Sequence, residues 1–354
     1  MALQQMTLLG CVAAVMAGGL GAAPPTDAPG RHVVRPGESI QQAVDAARPG
    51  DTVVLRPGVY RESVLITTSR LRLVGAGKKT VIRPPAKRAA NNRCGEEGNG
   101  ICVLGSRHRP LREVGIRALT VTGFKKNGIW ASGTDRMSVH EVTSRKNGVW
   151  GIAQEKSTRG VIRDNFVTGN GDSGIFLANT VKEEGGATDT RGASITENRL
   201  SHNRIGVTIR RVRNLTVGHN TITDNCSGVF IVGDESRPRA GALTVRDNDV
   251  SRNNKYCAAT KRLPFLQGSG IVLTGTERAL VRHNLVRDNR GKSPLSGGVV
   301  LFHSFVGALN EHNTVVDNIV LRNKPADLVN RDTKGRGNRF VRNVCRTSKP
   351  AGLC

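Results

Sequence analysis

A Gly followed by Ile or Val, usually with an apolar or aromatic residue next, recurs down this chain and narrows what it can fold into. The phrase stands at Gly128-Ile129-Trp130, Gly148-Val149-Trp150, Gly174-Ile175-Phe176, Gly206-Val207, Gly228-Val229-Phe230, Gly270-Ile271 and Gly298-Val299. Successive glycines are 20, 26, 32, 22, 42 and 28 residues apart. A repeat of roughly 20–45 residues marks a solenoid, in which each unit packs only on its neighbours. The segments between the phrases are short β-branched runs set off by turn residues, so the solenoid is all-β. Aromatics make up only 3 % of the chain while Gly numbers 42, which suits stacked strands with Val, Ile and Leu cores.

A second repeat interleaves with the first. Asn recurs in pairs five apart, at 165/170, 198/203, 220/225, 248/253, 284/289, 313/318 and 338/343. Asn tolerates left-handed backbone and bonds neighbouring main chain in turns. We therefore expect Asn at one corner of successive coils to stack into a hydrogen-bonded ladder, with a structural role.

Residues 1–23 read as a secretory signal: Leu8 to Leu20 is apolar and small, and Gly21-Ala22-Ala23 offers a cleavage site. This makes the mature protein secreted; lipid attachment at Cys11 is the disfavoured alternative. A linker, 24–31, precedes the solenoid, 32–345, and a tail, 346–354, follows it. Ser39 with Gln42 forms a capping-box pattern, and Ile40, Ala43, Val44 and Ala47 share one face, predicting a helix that ends at Arg48-Pro49-Gly50. Followed directly by short strands, it is placed to cap the open N-terminal end of the stack.

The stretch Pro36-Gly37-Glu38-Ser39-Ile40, with Gly50-Asp51-Thr52-Val53-Val54-Leu55-Arg56-Pro57-Gly58-Val59-Tyr60, is similar to the N-terminal coil and cap of right-handed parallel β-helix proteins of the pectate-lyase-like superfamily. The Asn-x-[Val/Ile]-x-x-Asn … Gly-[Val/Ile] units resemble that family's coil repeat. The resemblance implies an all-β fold, a single right-handed parallel β-helix with an N-terminal capping α-helix. It implies no one chemistry, because the family holds lyases, hydrolases, epimerases and non-enzymatic members. The family's catalytic signatures (a Trp-Ile-Asp-His stretch, paired Asp, Gly-His-Gly, Asp-Pro-His) are absent.

Charge points to the partner. Lys and Arg number 53 against 28 Asp and Glu, a net +25, which attracts a polyanion. The charge is spread along the chain, so a nucleic-acid-wrapping tail is disfavoured and no nucleic acid is expected. No stretch beyond the signal has the ~18 apolar residues of a membrane span, and a monomer is expected. Without Cys11, six cysteines remain and allow 15 disulfide pairings. Sequence proximity favours Cys94–Cys102, Cys226–Cys257 and Cys345–Cys354.

Uneven spacing places long inserts at 85–100, 179–193, 233–241, 253–268 and 303–312, which emerge from a solenoid as loops on the binding face. Strand alternation sends the residue after each Gly-[Ile/Val] outward, giving a column of Trp130, Trp150, Phe176, Thr208, Phe230, Val272 and Val300. Trp130, Trp150, Phe176 and Phe230 are the candidate sugar-binding platform; the bland alternative is that loops pack over them. Beside the column stand Glu155, Lys156, Asn179, Glu235 and His303. Lys182, Arg210 and Arg211 are the candidates for base and carboxylate clamp, and Glu183, Glu184 and Asp234 for a Ca²⁺ site. These fit β-elimination of a polyuronate, which needs the uronate charge neutralised, a base at C5 and a proton for the leaving oxygen. The sequence thus reads as a protein for an acidic polysaccharide, a lyase or a non-catalytic binding module.

Overall fold

The computed structural model describes residues 28–85, 92–106, 108–180 and 185–354. The stretch 1–23 expected to be a signal, Cys11, Lys182, Glu183 and Glu184 lie outside the described residues. The chain winds through three sheets in turn, so that each coil gives one strand to each. One coil reads Val161–Arg163, Phe166–Thr168, Ser173–Ala178. The sheets hold 12, 10 and 11 strands, every pairing within them parallel, and sequence-successive coils are always neighbours. A helix, α1, spans Ile40–Ala46. Ser39 accepts from the backbone N–H of Gln42, and α1 packs on strands of the first coils with Ile40 and Val44 in the core. One continuous apolar core runs inside the coils from Val34 to Leu328.

The true period emerges from the register. Ile129 pairs with Ile152, Ile152 with Ile175, and Ile175 with Val207. The rung after Gly128 therefore starts at Gly151, and the first steps are 23 and 23 residues rather than 20 and 26. Gly148-Val149-Trp150 mimics the phrase three residues early; its rung position is filled by Ala153. The rung glycine itself is required by close approach of neighbouring coils. A Cβ on Gly228 would meet Val250 Cγ1 at 2.5 Å and the Gly270 carbonyl oxygen at 2.6 Å.

The Asn ladders form, with two refinements. Asn147, Asn170, Asn203, Asn225, Asn253, Asn289 and Asn323 make one column, each side-chain amide donating to the next side-chain oxygen at 2.9–3.2 Å. Asn165, Asn198, Asn220, Asn248, Asn284, Asn318 and Asn343 make the other. Asn318 therefore pairs in register with Asn323, and Asn313 belongs to a third, shorter column with Asn338. The left-handed residue is the one before the Asn, as in Asp164, Glu197, His219, Asp247, His283 and Asp317. That frees the Asn to keep ordinary backbone while its side chain reaches the coil below. The residues that carry the strained corner stand outside, where Asp247 lies between His219 and His283, and Asp317 pairs with Arg342 at 2.7 Å.

All three disulfides favoured by proximity are present, Cys94–Cys102, Cys226–Cys257 and Cys345–Cys354. Among the described residues no helix is long and apolar enough to cross a membrane.

The N-terminal strand Arg31–Val34 is tied down by Asp51, whose carboxylate accepts from the backbone N–H of Gly30 at 2.6 Å and of Arg48 at 2.9 Å and contacts His32 Nε2 at 2.9 Å. The His32 contact and the two backbone donors hold the carboxyl at about 2, below its ordinary 3.8. A depressed carboxylate contributes stability that is complete above its unfolded value and lost as pH falls toward the folded one. The protection of the 31–34 amides, measured relative to their intrinsic exchange rates, is thus expected to fall between about pH 4 and 2. In Asp51→Asn that protection should already be low at neutral pH and change little with acid; protection equal to that of the parent would refute the assignment.

Candidate functional site

The inserts decide which face carries the site. Those at 85–100 and 253–268 join the second sheet to the third, and those at 179–193, 233–241 and 303–312 join the third back to the first. Both long edges of the third sheet are thereby built up, and its outer face becomes the floor of a cleft. The cleft encloses about 890 Å³ and is lined by Trp150, Asp172, Phe176, Arg204, Thr208, Arg210, Arg211, Phe230 and Asp234 from the coils. Thr260 to Leu263 and Ser304 to Val306 line it from two inserts.

Trp150 is out of the rung column but still reaches the site. Standing just before its strand, it lays its indole flat on Phe176 of the next coil, ring centroids 4.2 Å apart and planes 6° from parallel. Its Nε1–H donates to Asp172 Oδ2 at 3.1 Å. Trp130 lies outside the cleft lining and donates to Glu155 Oε1 at 3.3 Å. Phe230 is 1 % exposed, in an apolar cluster with Leu263, Leu266, Val272, Val300 and Phe302. On the outer face Trp130 and Trp150 are thus partly exposed, while the column from Phe230 onward is covered by inserts.

Arg210, Arg211 and Asp234 come together in the cleft as expected. Arg210 donates to the Thr180 carbonyl at 2.9 Å. Arg211 and Asp234 form an ion pair with both side chains under 10 % exposed. A buried ion pair holds its partners in place, since either one alone would be an uncompensated charge. Asp234 is therefore engaged by a cation, and Glu183 and Glu184 lie outside the described residues. Among the described residues no three His, Cys, Asp or Glu side chains gather to hold a metal ion. Besides Asp234, the Ca²⁺ site expected from the sequence rests on Glu183 and Glu184, which lie outside the described residues, and no step below runs through a metal.

Two residues not singled out in the sequence complete the site. Asp172 and Arg204 each stand two positions before a rung glycine, Gly174 and Gly206, in neighbouring coils. Burial pushes the Asp172 carboxyl above its ordinary value, against the opposing pull of the Trp150 indole N–H and the Arg204 charge. Burial likewise lowers Arg204, with Asp172 opposing. Arg204 Nη1 donates to the Ala258 carbonyl at 2.6 Å, while its Nη2 is buried and finds no acceptor among the described residues. Both glycines belong to the repeat read from the sequence, and comparing the residues two positions before each rung glycine would have exposed this acid–base pair.

A family model described as the right handed beta helix region matches residues 88–242. The chain is a right-handed parallel β-helix. Among solved structures, this β-helix is similar to the A-module of mannuronan C-5 epimerase AlgE6 from Azotobacter vinelandii, at 19 % identity and TM-score 0.59, over 86 % of this chain and 88 % of that one. It is also similar to an alginate lyase from Paenibacillus sp. str. FPU-7, at 14 % identity and TM-score 0.54, over 81 % and 95 %. A third is DFA-IIIase from Arthrobacter chlorophenolicus A6 in complex with GF2, at 17 % identity and TM-score 0.60, over 90 % and 85 %. A search of curated protein sequences found no match. At these identities the likeness is one of fold, and what the β-helix does must come from its own cleft.

Proposed function

We propose that the β-helix binds an acidic polysaccharide in this cleft and cleaves it by β-elimination. The observation that carries the reading is Arg204, a guanidinium at the cleft floor with a buried, unsatisfied Nη2 beside a single carboxyl, Asp172. An unmet cationic donor calls for an anionic ligand oxygen, and a guanidinium suits a carboxylate. The stacked faces of Trp150 and Phe176 supply an adjoining apolar platform for a sugar ring. Glycoside hydrolysis takes two working carboxyl groups. Here Asp234 is ion-paired to Arg211, which leaves Asp172 among the described cleft residues, and this favours proton abstraction over hydrolysis.

In the elimination, Arg204 neutralises the uronate carboxylate, which acidifies the C5 proton. Asp172 takes that proton, the C5–H electron pair becomes the C4–C5 double bond, and the C4–O bond breaks. The leaving oxygen is protonated by water. Trp150 orients the Asp172 carboxylate through its indole N–H. Arg210 adds positive charge along the cleft.

The test is ultraviolet absorbance of unsaturated uronates with a panel of polyuronates and glycosaminoglycans, with and without Ca²⁺. The panel begins with alginate, the polymer named for one structural neighbour. Absorbance growing with time on one member supports the reading. Binding without absorbance would leave a non-catalytic module, and neither would refute it. In the active case Arg204→Ala should raise KM about 10–100-fold, the loss of a charge-assisted hydrogen bond. An unchanged KM would remove Arg204 from the clamp.

A further inference from the structure

The cleft has one open end and one closed end. Along the outer rung column of the third sheet the register runs Trp130, Ala153, Phe176, Thr208, Phe230, Val272, Val300, Val329. Trp130 is partly exposed and Ala153 is covered by the Trp130, Trp150 and Phe176 rings around it, whereas Val272, Val300 and Val329, which cluster with Leu263 and Leu266 of an insert, are 0 % exposed. Outward-facing valines on a solenoid reach zero exposure only under a roof. The roof comes from two arms on opposite edges of the sheet. The 253–268 insert brings Leu263 and Leu266 over Phe230 and Val272, and the strand end at Phe302 and the loop after it close from the other side.

The first arm is fixed in place. Cys257 is bonded to Cys226, which sits one coil beyond Arg204 at the same position before its rung glycine. Arg204 holds the Ala258 carbonyl at 2.6 Å, and Lys255 Nζ donates to the His202 carbonyl at 3.1 Å. Phe305 packs against Phe302 on the second arm, ring centroids 5.5 Å apart. A saccharide chain stacked on Trp150 and Phe176 therefore meets Lys261 and Arg262 on the arm within a few coils, each coil advancing about 4.8 Å, and has no passage over Val272.

We propose that the site recognises a polyuronate by its chain end, with the 253–268 arm as the stop and Lys261 and Arg262 facing the terminal anionic unit. This rests on the reading of the cleft as a polyuronate site. An end-recognising site leaves only a short piece of substrate beyond the reacting bond, so the products are short and the polymer shortens slowly.

The test measures binding to the full mature protein by calorimetry, with oligouronates of the polymer the panel identifies. Three versions are compared: untagged, tagged with a bulky fluorophore at the reducing end, and tagged at the non-reducing end. A stop predicts that one tag weakens binding at least about tenfold, a loss of about 1.4 kcal/mol, while the other is tolerated. Replacing Thr260 to Leu263 by a short Gly-Ser bridge should restore binding of the excluded oligomer and shift products from short units to a ladder. Equal tolerance of both tags would overturn the stop and leave the polyuronate reading standing. If no oligouronate or polyuronate binds in any form, the underlying reading fails and this inference with it. If the bridged variant misfolds, the tag comparison on the parent protein still decides.

Discussion

Asp172→Asn is expected to lower uronate elimination at least about 100-fold in kcat, the usual contribution of a positioned general base, while oligouronate binding persists. The substitution is close to isosteric. Its side-chain oxygen can still accept from the Trp150 Nε1–H, so the stacked platform and the cleft floor keep their shape. What disappears is the basic carboxylate that takes the C5 proton. A loss confined to kcat, with KM nearly unchanged, is the signature of a group acting in the transition state rather than in binding. The pH profile supplies an independent check. Burial holds the Asp172 carboxyl above its ordinary value of 3.8, so the acid limb of kcat/KM should fall at a higher pH than for an exposed carboxylate. Trp150→Phe keeps the aromatic stack but removes the hydrogen bond that favours the ionised form, and should move that limb higher still. A parent-like rate in Asp172→Asn, or a limb unmoved by Trp150→Phe, would separate Asp172 from the chemistry.

Much of the fold was written in the repeat because the repeat has a geometric cause. Rung glycines recur where neighbouring backbones leave no room for a Cβ, as at Gly228. Asn recurs because its amide both donates and accepts, so one residue type joins the coil above to the coil below. Those demands fall on every coil and show up as periodicity. The site is a departure from that rule. Asp172 and Arg204 occupy rung-equivalent positions where other coils carry Val149, Cys226 or Ser296, and they stand out only when the position two before each rung glycine is compared from coil to coil. The register was misread by three residues at Gly148, which put Trp150 in the column and left Ala153 out. Trp150 nevertheless belongs to the site, through its stack on Phe176.

The covering of the outer column was the least legible part. Phe230 and Phe176 occupy the same rung position two coils apart and both line the cleft, and nothing in their own strands says that only Phe230 packs under the arm. The difference lies in the path of the 253–268 arm, which is set by long-range ties, the Cys226–Cys257 bond and the Arg204–Ala258 hydrogen bond. Arg204 thus both lines the cleft with a buried, unsatisfied nitrogen and holds the arm that bounds it, so loss of its side chain should loosen the stop as well as weaken binding.

Within the scaffold, Asn220→Ala should be among the most destabilising single substitutions, by roughly 4 kcal/mol. Asn220 is 1 % exposed and makes five hydrogen bonds through its side chain. Its amide donates to the carbonyls of Ile195 and Gly218 and to Asn248 Oδ1, each at 2.9 Å. Its oxygen accepts from the backbone and side-chain nitrogens of Asn198, both at 3.0 Å. Alanine strips partners from groups in three coils and leaves them no water, and the desolvation of unmet donors and acceptors, rather than the lost bonds themselves, dominates the cost. The direction of donation explains where the pattern ends. Asn323 donates to Asp327 Oδ1, and Asp327 Oδ2 receives the N–H groups of Arg346 and Thr347. Only donors face that position from either side, so the acceptor-only carboxylate replaces the amide. By the same logic Asn220→Asp, which presents a carboxylate to the Ile195, Gly218 and Asn248 oxygens, should be as damaging as alanine near neutral pH. It should recover in part on acidification, when a protonated carboxyl can donate again. Because a solenoid couples only neighbouring coils, the loss should be local. Hydrogen exchange should rise first across residues 193–253 and leave the strands at 64–66 and 101–104 protected. Urea unfolding of Asn220→Ala within about 1 kcal/mol of the parent would mean that the backbone, and not the Asn ladder, holds the coils in register.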